Sequence, residues 1–467
     1  MVPCAAWICA LACGVTMPAG AQQPAASTDP SGAPSVDDAW PRFLNSRMDG
    51  KAVVAEGQSY RDRNWDPPAD FEWSLDLGDG YGLGAVADGA YFHFDALAGN
   101  ERLRKIDLQS GRTLWTKTAP LNYRDMYGYE TGPRCCPTLA QDVVYTYGAA
   151  GRLAAYQAAD GTLLWQRDVN DQFGVVQNFF GVGSSPLVIG DQVLVMVGGS
   201  PEQDQSIAPG RLDRVSPDGS LLVSFDRRSG EVRWQCGDDL ASYSSPRAAV
   251  IDGRQVVLLF ARNRLHVIDP ETGRDLGSVP HRARLLESVN AMVPVVQGNR
   301  VFVSDCYEQG GVLFDISIDA DEATFQTVWQ DPPENRRAQA LRSHLSTPVL
   351  HEGFLYACSG RNAPDSDFRC VRWSDGEVMW TALSRRRSTA TLLGDVLLVL
   401  KETGSLHFVP ATPEKFEALA VWELSEADQQ RPALRYPCWS APIVVGDRML
   451  VRGDDTLICV RIPPPTD

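Results

Sequence analysis

The sequence predicts an all-β fold, an eight-bladed β-propeller of four-stranded blades closed by an N-terminal strand around Trp73. Three observations predict it. A block of small residues, Pro and an apolar run recurs eight times along the chain. Between blocks stands a turn that ends in Gly and is followed four residues later by Trp. One such Trp strand is missing from the end of the chain and present near its start. Evenly repeated strand blocks with turn signals are the mark of a radial β array.

The block reads Gly84-Ala85-Val86, Cys136-Pro137-Thr138, Ser185-Pro186-Leu187, Ser245-Pro246-Arg247, Val293-Pro294-Val295, Thr347-Pro348-Val349, Thr389-Ala390-Thr391 and Ala441-Pro442-Ile443. Seven steps carry Ala85 to Pro442, a mean of 51 residues. Each copy holds four short apolar runs bounded by Gly, Asp, Pro and Ser, which are strand and turn signals. The runs 193–197 and 396–400 are apolar at every position. That pattern suits strands buried on both faces between neighbouring blades.

The turn unit opens with Asp107, Ser110 and Gly111 and ends at Trp115, and it recurs at Trp165, Trp234 and Trp380. Trp329 and Trp422 follow degenerate turns, and the unit at 269–273 has Gly277 where Trp would stand. The last copy ends at 459–463 without its Trp strand, whereas Phe71-Glu72-Trp73 precedes the first. Donated from the start of the chain, that strand completes the last blade and leaves no long sheet edge. Trp73, Trp115, Trp165, Trp234, Trp329, Trp380 and Trp422 are read as docking residues between blades. Each ring fills space while its N–H seeks an acceptor. A stack of separate β-sandwiches would need boundary linkers that this spacing does not offer.

The even spacing places residues 40–467 in one propeller domain. Before it, residues 5–16 are apolar and small residues at Ala19 and Ala21 match a signal-peptidase site, although the usual basic residue is missing. Residues 1–21 are therefore expected to be a removed export signal, and 22–39 a flexible leader. The expected location is periplasmic or secreted. Cys13 follows Ala10-Leu11-Ala12, a poor context for lipid attachment. Outside the signal stand eight Cys, too sparse for a disulfide scaffold, and no C-x-x-C pair suggests a zinc site. No metal site is expected.

The chain has 43 basic against 59 acidic side chains, a net charge of -16, and its one basic block is Arg385-Arg386-Arg387. Nucleic acid is excluded as an expected partner by that balance. No apolar run after the signal is long enough to span a bilayer as a helix.

The Asp-x-x-Ser/Thr-Gly-x-x-x-Trp unit at 107–115 and 226–234, and at 157–165 with Gln157 for Asp, resembles the pyrroloquinoline-quinone-like (PQQ-like) repeat family of β-propellers. The resemblance covers roughly residues 40–463. The opening Trp40-Pro41-Arg42-Phe43 and Asp49-Gly50 also resemble the leader of exported bacterial members. The resemblance implies a fold, shared by quinoprotein alcohol dehydrogenases and by the non-enzymatic propeller lipoprotein of the outer-membrane barrel-assembly machinery. Function does not follow from it.

Cys135-Cys136 resembles the vicinal cysteine pair that quinone alcohol dehydrogenases place against their cofactor, and makes the two residues candidates for cofactor binding. The other reading is two small buried residues in place of the Ser-Ser of sister copies at 184–185 and 244–245. Such enzymes also need Ca²⁺ on oxygen ligands and a carboxylate base. No Glu, Asn and Asp set can be placed on matching motifs. Cys358 and Cys370 flank the hairpin 359–369, as a disulfide across adjacent strands or as two free thiols.

Two apparent motifs fail their context. Gly80 to Ala85 has dinucleotide-loop spacing but leads into a strand, and 315–322 lacks the Gly and final Glu of a calcium loop.

The segments leading into the innermost strands all reach one end of a propeller. They supply Tyr81, Tyr129, Arg134, Phe179, Tyr243, Asn290, His344, Arg386 and Trp439. Aromatics with convergent polar groups describe a ligand or partner site; the same residues also suit a plug for the channel. The expectation is a non-catalytic binding scaffold in the cell envelope, with no cofactor, whose partner is an envelope or secreted protein or a small ligand in the mouth. The alternative is a PQQ- and Ca²⁺-dependent alcohol or sugar dehydrogenase.

Overall fold

A computed structural model describes residues 39–68, 71–425 and 434–464. The expected signal over 1–21, and the leader up to residue 38, lie outside the described residues. The protein is an eight-bladed β-propeller of four-stranded antiparallel sheets. Blades 1 to 7 occupy 85–120, 138–168, 187–236, 247–280, 295–330, 349–382 and 388–423. Blade 8 takes three strands from 443–461 and its outermost from Trp73–Asp76, in register Trp73 to Cys459 and Asp76 to Thr456. The displaced strand closes the ring.

The core lies in the seams between blades. Phe92, Phe94 and Leu103 of blade 1 pack with Val144 and Tyr156 of blade 2, and Tyr145 and Tyr147 of blade 2 pack with Val193, Val195 and Phe225 of blade 3. The all-apolar runs 193–197 and 396–400 are buried throughout. Both faces of each sheet meet a neighbour, so these strands have no reason to alternate in polarity.

The repeated turn and Trp form one interlock. Asp107 Oδ1 accepts from the Ser110 N–H at 2.8 Å and from its hydroxyl at 2.6 Å, which folds the turn and brings Gly111 to φ +69°. Trp73 of blade 8 lies flat on that Gly; a Cβ there would stand 2.6 Å from the ring. The indole N–H donates to Leu108 O at 2.9 Å. Trp165 repeats this on Gly230 and Arg227 O at 2.9 Å, and Trp115, Trp329 and Trp380 donate to Ala158, Trp373 and Thr412 of the next blade. Trp234 stacks on Gly273 with its N–H unpartnered. At Gly277, a Cβ would stand 2.7 Å from Ala323 O in the outer strand of blade 5, and the long strands there fill the seam instead of Trp.

Residues 40–52 run through the middle of the ring. Trp40 bridges to Val86 of blade 1, the Pro41 carbonyl accepts from Leu139 of blade 2, Arg247 of blade 4 donates to Met48 O at 2.7 Å, and Ala52 donates to Leu392 of blade 7. Repeat spacing carried no sign of this plug.

Cys358 and Cys370 are both free thiols, which corrects the disulfide reading. Cys358 stands opposite Phe368 and Cys370 opposite Tyr356, so the two are diagonal neighbours rather than a facing pair. No helix among the described residues is long and apolar enough to cross a membrane.

Candidate functional site

Strands in each blade alternate in direction. The loops entering the innermost strands and the loops joining second to third strands therefore share one face, the mouth. There a cavity of about 320 Å³ opens. Its floor is Trp40, Phe43 and Leu44 of the threaded segment, so it is a cup and not a through-channel.

One wall is a run of touching rings. Tyr243 meets Phe180 with centroids 5.6 Å apart, Phe180 meets Tyr129 at 5.7 Å, Tyr129 meets Trp439 at 6.2 Å, and Trp439 meets Tyr81 at 4.9 Å. Tilted and edge contacts of this kind suit the ring quadrupoles. Buried Glu402 anchors the end of the run, accepting from Trp439 Nε1 at 3.1 Å and from Arg387 Nε at 2.9 Å, while the Arg387 guanidinium lies 4.3 Å over the indole. Arg134 is held by Asp125 at 2.8 Å beside the Tyr81 and Tyr123 rings. Burial pushes the Tyr81 phenol up to about 12.

The facing wall comes from blades 5 and 6. The Tyr307 hydroxyl lies 3.3 Å from His344 Nε2, and the Arg361 guanidinium sits 4.7 Å over the Tyr307 ring. Burial, followed by the charges of Arg387 and Arg361, lowers His344 to about 4, so its imidazole is neutral at pH 7.

Tyr81, Tyr129, Arg134, Tyr243, His344 and Trp439 line this one cup. Three of the expected mouth residues do not. Phe179 turns into the core against Val289 and Cys306, and Phe180 takes its place. Asn290 is buried and donates to Ala261 O at 2.8 Å and His281 O at 3.1 Å, tying loops together. Arg386 is exposed outside the cup, and Arg387 points in. A one-residue change of phase reverses the side a residue presents. Tyr307, Arg361 and Asn362 were missed because they stand on loops between second and third strands; strand alternation was the signal that could have found them.

Cys135 and Cys136 take different sides. Cys136 lines the cup, while the Cys135 thiol turns away and donates to Ser184 O at 3.1 Å. Cys136 N–H donates to Ser185 Oγ at 2.9 Å, Ser185 N–H to Ser245 Oγ at 2.9 Å, and Val293 N–H to Thr347 Oγ1 at 3.0 Å. The pair thus stands in a belt of hydroxyls that links adjoining innermost strands. Both thiols are free and buried, and burial pushes Cys136 up to about 12.

Among the described residues no Asp or Glu lines the cup, and no group of three or more His, Cys, Asp and Glu could hold a metal ion. Ca²⁺ takes six to eight oxygen ligands, mostly carboxylates and carbonyls. The described lining offers it no carboxylate, so these residues do not fit a calcium-bound quinone.

A family model described as outer membrane protein assembly factor BamB matches residues 99–382. The chain belongs to the BamB family. Among solved structures it is similar to BamB from Moraxella catarrhalis, with a TM-score of 0.51 at 15% identity over 84% of this chain and 98% of that one. It is also similar to a quinohemoprotein alcohol dehydrogenase from Comamonas testosteroni, with a TM-score of 0.57 at 12% identity over 92% and 82%. At such identities the likeness shows the fold alone. No curated protein sequence matches the chain. In this BamB-family chain Tyr129, Arg134, Tyr243, His344 and Arg361 lie within the matched span, while Tyr81, Arg387 and Trp439 lie outside it.

Proposed function

We propose that this BamB-family propeller is an exported, non-catalytic binding scaffold of the cell envelope that presents its mouth face to another protein or to a small ligand. One observation carries the reading: the mouth loops expose large apolar side chains around the cup. Leu383 is 76% exposed, Tyr436 56% and Tyr127 54%, with Met126 and Tyr129 beside them. Clustered exposed apolar side chains rimmed by polar groups mark interaction surfaces. The absence of a carboxylate from the described lining supports a role without catalysis, and the family description, that of an outer-membrane assembly factor, supports an envelope location.

The test is site-specific photocrosslinking in the native envelope, with the crosslinker at Leu383 or Tyr127 and a control at Asp88 on the opposite face. Adducts from the mouth positions alone support the reading. Equal adducts from Asp88 would sink it. Fractionation of cells carrying the full chain, against one lacking 1–21, tests export. The dehydrogenase alternative is favoured by Cys136 at the cup wall. Stoichiometric retention of pyrroloquinoline quinone with Ca²⁺ after desalting, lost in Cys136→Ser, would replace the scaffold reading with it.

A further inference from the structure

We infer that the cup takes a small aromatic carboxylate, its ring against Trp439 and Tyr81 and its anionic end at Arg361. The inference rests on the proposed role of the mouth as a binding face and names what its centre holds.

Charge selects the anion. In a chain of net charge -16, the described lining of the cup carries Arg134, Arg361 and Arg387 and no carboxylate. Two of these are already neutralised, Arg134 by Asp125 and Arg387 by Glu402. The Arg361 guanidinium makes no ion pair among the described residues, its main-chain N–H alone meeting the Asp365 carboxylate, and it rests on the Tyr307 ring, which fixes its plane. A planar fork of donors matches a carboxylate in two parallel hydrogen bonds. One free guanidinium calls for one negative charge.

Position selects the aromatic body. Arg361 belongs to blade 6, and in a ring of eight, blade 6 faces blade 2. Tyr129 on the loop entering blade 2 is the middle of the ring-lined wall, so a flat body reaching from Arg361 meets aromatic faces. The threaded residues close the floor, which excludes an occupant that passes through. One polar atom of the lining, Thr389 Oγ1 on a residue 6% exposed, has no partner. A buried polar group without a partner is costly, and a ligand oxygen would relieve it. At about 320 Å³ the space is at the lower end of cavities that enclose small molecules.

The test uses the full chain, 2-naphthoate, and its neutral analogue 2-naphthamide, with binding read by calorimetry and by quenching of indole fluorescence. Naphthoate is expected to bind about tenfold more tightly than the amide, the worth of one charge-assisted pair. Arg361→Gln should abolish that preference without changing affinity for the amide, and Arg361→Lys should restore part of it. Trp439→Ala should weaken both compounds. Arg361 is exposed, so its variants are expected to keep the wild-type melting temperature. Equal binding of the two compounds, or a naphthoate affinity unchanged in Arg361→Gln, would overturn the inference. If Leu383 still gives specific crosslinks, that failure leaves the scaffold reading intact; naphthoate binding without mouth crosslinks would sink the protein-partner form of that reading and keep the inference.

Discussion

The indole N–H of Trp422 donates to the main-chain carbonyl of Trp65 at 2.8 Å, whereas the other docked indoles that donate do so to the turn of the next blade. The reason is topological. Blade 8 takes its outermost strand from the start of the chain, so no covalent turn joins its third and fourth strands. Residues 60–65 stand in for the missing turn. Trp65 stacks on Phe408 with centroids 4.3 Å apart, and its own N–H donates to Tyr60 O.

Trp65→Ala should therefore loosen the seam between blades 7 and 8 as strongly as loss of a core aromatic does. The expected cost is about 3–5 kcal/mol, read as a fall in the urea midpoint. A change under about 1 kcal/mol would show that residues 60–65 merely lie on the surface.

Gly111 and Gly253 separate two effects of one substitution. Both have positive φ, +69° and +75°, but a Cβ meets the Trp73 ring at 2.6 Å in the first and nothing within 4 Å in the second. Gly253→Ala should cost only the left-handed backbone penalty, about 1–2 kcal/mol. Gly111→Ala should cost clearly more, because the Trp73 ring must move. Equal losses in thermal melts would refute the interlock between blades 8 and 1.

Glu101 should make stability depend on pH. Its carboxyl is 2% exposed between blades 1 and 2, in space left by the missing Cβ of Gly148, with both oxygens unpartnered and Arg152 at 3.9 Å. Burial raises it to about 7, and Arg152 opposes this only partly. The acid stays protonated in the fold while the unfolded chain ionises near its ordinary value. Stability from this group is thus present at low pH and lost as pH climbs from about 4.5 to about 7, by up to about 3 kcal/mol. Glu101→Gln should flatten that window and be the more stable protein at pH 8. Parallel pH profiles of the two would disprove the shift.

Thiol chemistry should be slow throughout. The eight described Cys are free and seven of them are buried. Burial raises Cys136, Cys236, Cys370, Cys438 and Cys459 to about 12. Thiolate, not thiol, reacts. Native protein at pH 8 should resist a disulfide reagent until urea unfolds it, and Cys136→Ser should keep the native melting temperature because Ser holds that place in the sister blades. Rapid labelling of Cys136 in the native state would instead mean that the cup exposes a reactive thiol.

Blade number, the closing strand at Trp73 and the seam residues were legible in the sequence by itself, because each rests on a local unit that repeats. The Asp and Gly of a turn shape a few residues, and the Trp four positions on has only its neighbouring blade to meet. Tertiary structure alone decided the cup. Its floor comes from Trp40, Phe43 and Leu44, which occur once and leave no period to read. Its walls depend on loop phase, so that Phe180 and Arg387 face inward where Phe179 and Arg386 were expected. Arg361 and Tyr307 join them only because strands that alternate in direction bring two sets of loops to one face. A repeat specifies what every blade shares; a binding site is made where the blades differ.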